Sequence, residues 1–165
     1  MDVKRNLTLL TDLYQLTMMN GYLKENCKDE VAIFDIFFRQ NGNITYSLAC
    51  GLEQAVDYVT GINFGTEEID YLRSLGIFSE EFLEYLKNFR FTGDIYAVPE
   101  GTLVFPGEPI LTVKAPVMQA QLIETALLNI INHQTLIASK AAKIRHAAKD
   151  DVVMEFGLRR AQGPD

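Results

Sequence analysis

Tryptophan is missing from the 165 residues, and histidine and cysteine occur twice each. Cys27 and Cys50 stand apart, without the paired spacing of a zinc site or a disulfide framework. They read as free thiols of a reducing compartment. His133 and His146 have no third ligand candidate close in sequence, so no metal site is read. No apolar run approaches the length that crosses a bilayer, and none follows Lys4-Arg5. A cytoplasmic protein without a secretory signal or membrane span is therefore expected. Internal repeats, low-complexity tracts and a Gly-Lys-Ser/Thr phosphate loop are also missing. Positive charge is scarce, with 15 Lys and Arg against 22 Asp and Glu, for a net charge of −7. That balance argues against nucleic acid or an anionic membrane as the main partner. It leaves room for a local basic pocket.

What the chain does have is apolar bulk. Hydrophobic residues make up 48%, with ten Phe and seven Tyr, enough to build a core for about one domain. Thr11 to Leu23 reads as an amphipathic helix with Leu13, Leu16, Met19 and Leu23 on one face. Thr11 or Asp12 is placed to cap it, and Asp12 with Gln15 fits a capping box. Val31 to Arg39 is a β-branched and aromatic strand. Gln40-Asn41-Gly42-Asn43 is a hairpin turn signal, and Ile44 to Cys50 reads as the returning strand. Three helices follow: one from Gly51 to Gly61, then Thr66–Leu75 and Ser79–Asn88, the last two opened by capping Thr or Ser with acidic residues. Phe91 to Lys114 is a set of short strands broken by Gly93, Pro99, Gly101, Pro106-Gly107 and Pro109. Val117 to Lys149 carries a helical stripe of Ile123, Leu127, Ile130, Ile137, Ala141, Ile144 and Ala148. Poor helix formers between Asn129 and Thr135 predict a bend or break there.

The last stretch carries the chemistry. Asp151 to Phe156 reads as a short buried strand, Gly157 relaxes the backbone, and Gly163-Pro164 turns it. Between the breakers lie Arg159, Arg160 and Gln162. Guanidinium groups at the C-terminal end of a strand grip phosphate or carboxylate bidentately, and ligands of parallel α/β folds bind at that end. The same arginines would also suit a surface turn, paired with some of the chain's many carboxylates.

Glu155-Phe156-Gly157-Leu158-Arg159-Arg160-Ala161-Gln162-Gly163 closely resembles the active-site signature of the nicotinate phosphoribosyltransferase family. Leu10-Thr11-Asp12-Leu13-Tyr14-Gln15-Leu16-Thr17-Met18 resembles that family's other signature. Val98-Pro99-Glu100-Gly101, Phe105-Pro106-Gly107-Glu108-Pro109 and Leu128-Asn129-Ile130-Ile131-Asn132 follow in the family's order. The turn at Gln40–Asn43 departs from the Pro-containing turn usual there. The resemblance spans the whole chain but only the N-terminal part of a family member. It implies a hammerhead-like α+β domain over residues 1–115. Residues 116–165 would then form a helical crossover and the start of an α/β barrel, in the type II phosphoribosyltransferase architecture.

The implied reaction moves a phosphoribosyl group from phosphoribosyl pyrophosphate to nicotinate. Its products are nicotinate mononucleotide and pyrophosphate, with ATP as a coupled co-substrate and Mg²⁺ as cofactor, in NAD salvage. The resemblance also implies a homodimer with shared active sites. Tyr14 and Phe156 of opposite subunits would sandwich the pyridine ring, since a flat ligand desolvates both faces at once. Arg159 would meet the donor's phosphate, with Arg160 and Gln162 beside it, and Asp12 would organise the interface or act in catalysis. The family's phosphorylated histidine and main phosphate loops lie beyond Asp165, so these 165 residues alone are expected to be inactive. Nicotinamide- and quinolinate-using relatives match less well, because the double arginine suits one carboxylate. A non-enzymatic alternative is a biotinyl- or lipoyl-carrier-like module over Phe91–Lys114. Such modules expose a lysine on a tight turn, and no lysine sits between these strand pairs.

Overall fold

The computed structural model describes residues 6–40, 42 and 44–162. Helix α1 (Leu13–Lys24) leads into strand β1 (Val31–Ile36) and the short β2 (Ser47–Leu48). Helices α2 (Leu52–Gly61), α3 (Thr66–Ser74) and α4 (Glu80–Lys87) follow. Strands β3 (Asp94–Ala97), β4 (Leu103–Val104) and β5 (Leu111–Pro116) then run straight into the long α5 (Val117–Ala148). The fold is α+β.

Strand pairing departs from the sequence reading. The hairpin expected between β1 and β2 does not form. β1 pairs antiparallel with β5, from Val31 opposite Pro116 to Ile36 opposite Leu111. β3 pairs with the other edge of β5, and β2 pairs with β4 in a separate two-stranded sheet. Part of the expected turn, Asn41 and Asn43, lies outside the described residues. β5 supplies the apolar alternation that makes it the central strand: Leu111, Val113 and Ala115 are buried, whereas Lys114 is exposed. Lys114 thus lies within a strand paired on both sides, and the strands do not close on themselves. That geometry removes the carrier-module reading.

α5 spans 32 residues without a break, about 48 Å at 1.5 Å per residue. The expected interruption is absent: Gln134 and Thr135 within it, and Ser139 one turn on, find tertiary partners. The hydroxyl of Thr135 donates to the Cys50 carbonyl and accepts from the Cys50 amide. The Gln134 amide donates to Gln54, and the Ser139 hydroxyl accepts from the Leu48 amide. Weak local propensity is overridden by packing. The first half of α5 forms the floor of the core, with Met118, Leu122, Ile123 and Ala126 fully buried. Leu16 and Met19 of α1, Val59 of α2, Ile69 of α3, and Phe82 and Leu86 of α4 close over the same core. The second half departs from the expected stripe: Ile137 and Ile144 are exposed, and the buried face carries Thr135 and Ser139.

Helix ends follow capping rules with two corrections. The Ser79 hydroxyl accepts from the Phe82 amide and caps α4 as expected. Thr66 does not cap α3; Gly65 precedes that helix, and the Glu68 carboxylate accepts from the Gly65 amide. At α2 the cap comes from a distant turn. Gly51 has a φ of +107° and no side chain to offer. The Glu100 carboxylate accepts from the amides of Gly51 and Leu52 instead. Burial alone would raise the Glu100 carboxyl. Hydrogen bonds from Cys50 and from the Leu52, Gly51 and Glu53 amides outweigh it and hold the group below the usual carboxylate range.

Candidate functional site

Two stretches that carry the expected site residues are held in different ways. Asp12 sits at the N-terminus of α1 with extended backbone, but its side chain makes no capping bond. The Asp12–Gln15 capping box is not formed. The Asp12 carboxylate instead accepts from the Thr125 hydroxyl of α5, at 2.9 Å. Tyr14, one helical step on, is half exposed, and so is Leu13, which sequence reading had placed on the buried face. The buried positions of α1 are Gln15, Leu16, Met19 and Asn20. Gln15 is fully buried, and its amide nitrogen donates to the Tyr14 hydroxyl at 2.9 Å and to the Glu124 carboxylate at 3.1 Å. Consecutive residues of α5, Glu124 and Thr125, thus anchor the start of α1. The Glu124 charge, then burial, then the Asp12 charge keep the Tyr14 phenol above its usual range, with the Gln15 bond pulling the other way.

The second stretch is open. The strand expected at Asp151–Phe156 is not formed: residues 152–157 have no regular structure, and Val152, Met154 and Phe156 are 71–82% exposed. A strand needs a neighbour for its backbone amides and carbonyls, and among the described residues none pairs with this one. Leu158–Arg160 form one turn of 3-10 helix, closed by the Arg160 amide donating to the Gly157 carbonyl at 2.7 Å. Arg159, Arg160 and Gln162 are all exposed. Among the described residues neither arginine makes an ion pair, and the ion pairs present join Lys28, Arg73 and Lys87 to nearby carboxylates. That differs from the surface-turn alternative, in which the arginines would be consumed by carboxylates. The turn expected at Gly163-Pro164 lies outside the described residues.

The two stretches are not brought into one pocket among the described residues. Among the described residues the aromatic pairs are Phe64–Phe89, Phe78–Phe82 and Tyr85–Phe89, and neither Tyr14 nor Phe156 stacks on another ring. Two adjoining grooves of about 440 and 800 Å³ run between β1 and α5. Ile33, Phe37 and Leu128 line them with Asp35 and Glu124, and the larger also reaches Arg39, Asn129 and Asn132. Tyr14, Phe156 and Arg159 are not among their lining residues. No group of three His, Cys, Asp or Glu side chains among the described residues could hold a metal ion. No described helix is long and apolar enough to cross a membrane.

Sequence reading took Gln15 for a capping residue and missed Glu124 and Thr125. The available signal was Gln15 itself, a long polar side chain beside Leu16 on the face of an amphipathic helix that turns inward.

The profile of the nicotinate phosphoribosyltransferase N-terminal domain matches residues 9–132. A nicotinate phosphoribosyltransferase of Mycobacterium tuberculosis is 46% identical over 158 residues, 95% of this chain and 34% of that protein. The Bacillus subtilis enzyme of that name is 46% identical over 164 residues, 97% of this chain and 33% of its own length. The chain therefore spans about a third of the length of the curated relatives it matches. The crystal structure of human nicotinic acid phosphoribosyltransferase superposes with a TM-score of 0.84 at 36% identity, covering 94% of this chain and 32% of that one. A nicotinate-nucleotide pyrophosphorylase from Pyrococcus furiosus shares the fold, with a TM-score of 0.70 at 22% identity. With that profile matched from Leu9 through Asn132, the chain belongs to the nicotinate phosphoribosyltransferase family.

Proposed function

We propose that this chain works within an enzyme that transfers the phosphoribosyl group of phosphoribosyl pyrophosphate to the ring nitrogen of nicotinate. The products are nicotinate mononucleotide and pyrophosphate, with ATP hydrolysis coupled to the transfer. The observation that carries the reading is the pair of signatures. One presents a half-exposed tyrosine braced by α5, and the other an exposed aromatic followed by two arginines free of ion pairs among the described residues. Relatives of this name across bacteria, plants and animals share the chain at 40–46% identity.

Transfer at the sugar carbon develops positive charge on the ribose and negative charge on the departing pyrophosphate. The protein's share is to hold the ring nitrogen in line and to neutralise the leaving group. Tyr14 from one subunit and Phe156 from its partner would sandwich the ring. Arg159 would bind the donor's phosphate bidentately, with Arg160 and Gln162 extending the contact to phosphate or to the nicotinate carboxylate. Asp12, tethered by Thr125, would order the interface through which the two subunits complete each other's sites. Mg²⁺ would accompany the pyrophosphate oxygens, as it commonly does with phosphorylated substrates. The described residues offer no cluster of three ligands for it, so no step here is routed through the ion. The α+β domain over residues 1–115 corresponds to a hammerhead-like unit. Residues 116–165 correspond to the crossover into an α/β barrel, and a cytoplasmic location suits a salvage enzyme.

The test compares nicotinate, nicotinamide and quinolinate as acceptors with the complete polypeptide that carries this chain. Nicotinate should be turned over with the highest kcat/KM, and ATP should raise it. A preference for nicotinamide would overturn the assignment.

A further inference from the structure

We infer that Gln15 is a positioning residue that fixes the direction of the Tyr14 phenol, and through it the seat of the pyridine ring. The inference rests on the reading of Tyr14 as a ring-stacking residue.

Gln15 is fully buried between α1 and α5, beside Leu16 and Met19 in the core. The orientation of its amide follows from chemistry. A carboxylate oxygen only accepts, so the NH₂ end must face Glu124 at 3.1 Å. The same nitrogen lies 2.9 Å from the Tyr14 hydroxyl oxygen and donates its other hydrogen there. The Tyr14 oxygen is therefore engaged as an acceptor. The ring that carries it is half exposed.

The arrangement is poor for folding alone. The Gln15 carbonyl oxygen is buried without a partner among the described residues. A methionine of similar length would bury the same volume without an idle acceptor. The amide thus does something a hydrophobe cannot, and its two contacts show what. It links the exposed phenol of Tyr14 to Glu124, which accepts a further bond from the Gln121 amide at 3.4 Å. The neighbouring Thr125 holds Asp12 in parallel. Both expected site residues of α1 are thereby tied to adjacent positions of one rigid helix.

The test is Gln15→Met. In the chain labelled with ¹³Cζ-tyrosine, the Tyr14 resonance is identified by its loss in Tyr14→Phe, and it should shift in Gln15→Met. In the complete polypeptide the same variant should raise KM for nicotinate about tenfold, as expected for one lost hydrogen bond to a substrate-orienting group. KM for the phosphoribosyl donor should stay unchanged and kcat should change less than about threefold. An unmoved Tyr14 resonance overturns the inference. So does a parallel loss of kcat and of both KM values with a lowered thermal midpoint, which marks a purely structural residue. Should Gln15→Met not fold, Glu124→Leu breaks the far end of the link and must move the same resonance. If the wild-type polypeptide forms no nicotinate mononucleotide, the proposed function falls, and the resonance still decides whether Gln15 directs Tyr14.

Discussion

Gly93, one residue before β3, is the position where the smallest addition should do the most damage. A Cβ built there would lie 2.3 Å from the Ala115 Cβ, 2.7 Å from the Lys114 carbonyl oxygen and 2.9 Å from the Ala115 Cα. The first of these is more than about 1 Å short of ordinary carbon–carbon contact. None of the three is the far end of a flexible side chain. All belong to β5, which is hydrogen-bonded to β1 on one edge and β3 on the other. Moving Ala115 would disturb its register with Ala32 and press it into the core, where it is 2% exposed. Overpacking usually costs about 1–3 kcal/mol, and a blocked backbone puts Gly93→Ala at the top of that range, about 3 kcal/mol. For a domain of this size that is a fall of roughly 6–12 °C in Tm. Gly21→Ala is the matched control. It lies within α1, has nothing within 4 Å of an added Cβ, and has ordinary helical backbone. Removing a helix-interior glycine should stabilise by about 0.5–1 kcal/mol. Thermal unfolding followed by far-ultraviolet circular dichroism reads both. A Gly93→Ala midpoint within about 2 °C of wild type would refute the claim that β5 is clamped from both sides.

Arg159→Ala in the complete polypeptide should lower kcat/KM for nicotinate mononucleotide formation ten- to hundredfold, the equivalent of about 1.5–3 kcal/mol for a charge-assisted contact. Unchanged activity would remove Arg159 from the site. Glu100→Gln should cost about 1 kcal/mol at neutral pH, a modest figure because the carboxylate is exposed and partly screened. The Glu100 carboxyl is held below its usual range, so its contribution is full above the ordinary carboxylate pKa and fades as the pH falls through the lowered value. Denaturant titrations of both proteins should converge in acid, and a gap that persists or widens there contradicts the cap. Tyr58 is pushed up to about 12 by burial, and its hydroxyl has no partner among the described residues. Tyr58→Phe should therefore leave stability unchanged or raise it by up to about 1 kcal/mol, and a clear drop in the denaturation midpoint would mean that the hydroxyl is bonded.

Local signals in the sequence proved readable where a local cause decides the structure. Ser79 with its acidic first turn caps α4, the left-handed Gly76 follows α3, and the buried Leu111, Val113 and Ala115 of β5 alternate with exposed or half-exposed neighbours. Partner choice was not readable. β1 ends four residues before a turn signal and yet pairs with a strand about eighty positions on, because β5 offers a six-residue ladder with three buried apolar residues and β2 only two residues. The break predicted between Asn129 and Thr135 of α5 failed for a related reason: Thr135 bonds Cys50 and Gln134 bonds Gln54 of α2, partners that are distant in sequence. The strand predicted at Asp151–Phe156 failed in the opposite sense, since its β-branched residues are there and no neighbouring ladder pairs with it among the described residues.

The same contrast divides the site. The first half of the proposed site is held by α5: Asp12 and Tyr14 are tied through Thr125, Gln15 and Glu124 to its best-buried stretch. Side chains held in this way lose little freedom on binding, which is how positioning turns into rate. The second half of the proposed site is a turn that no strand pairs among the described residues, with Phe156 and Leu158 each 82% exposed and the paired arginines beside them. Apolar surface of that size left in water favours any arrangement that covers it, at about 25 cal/mol per Å². Closing a pyridine ring between Tyr14 and Phe156 would bury just such surface and carry Arg159 into place with it. On the proposed reading, the half held by α5 would set where the ring sits, and covering the exposed half would bring the guanidinium groups toward the phosphate.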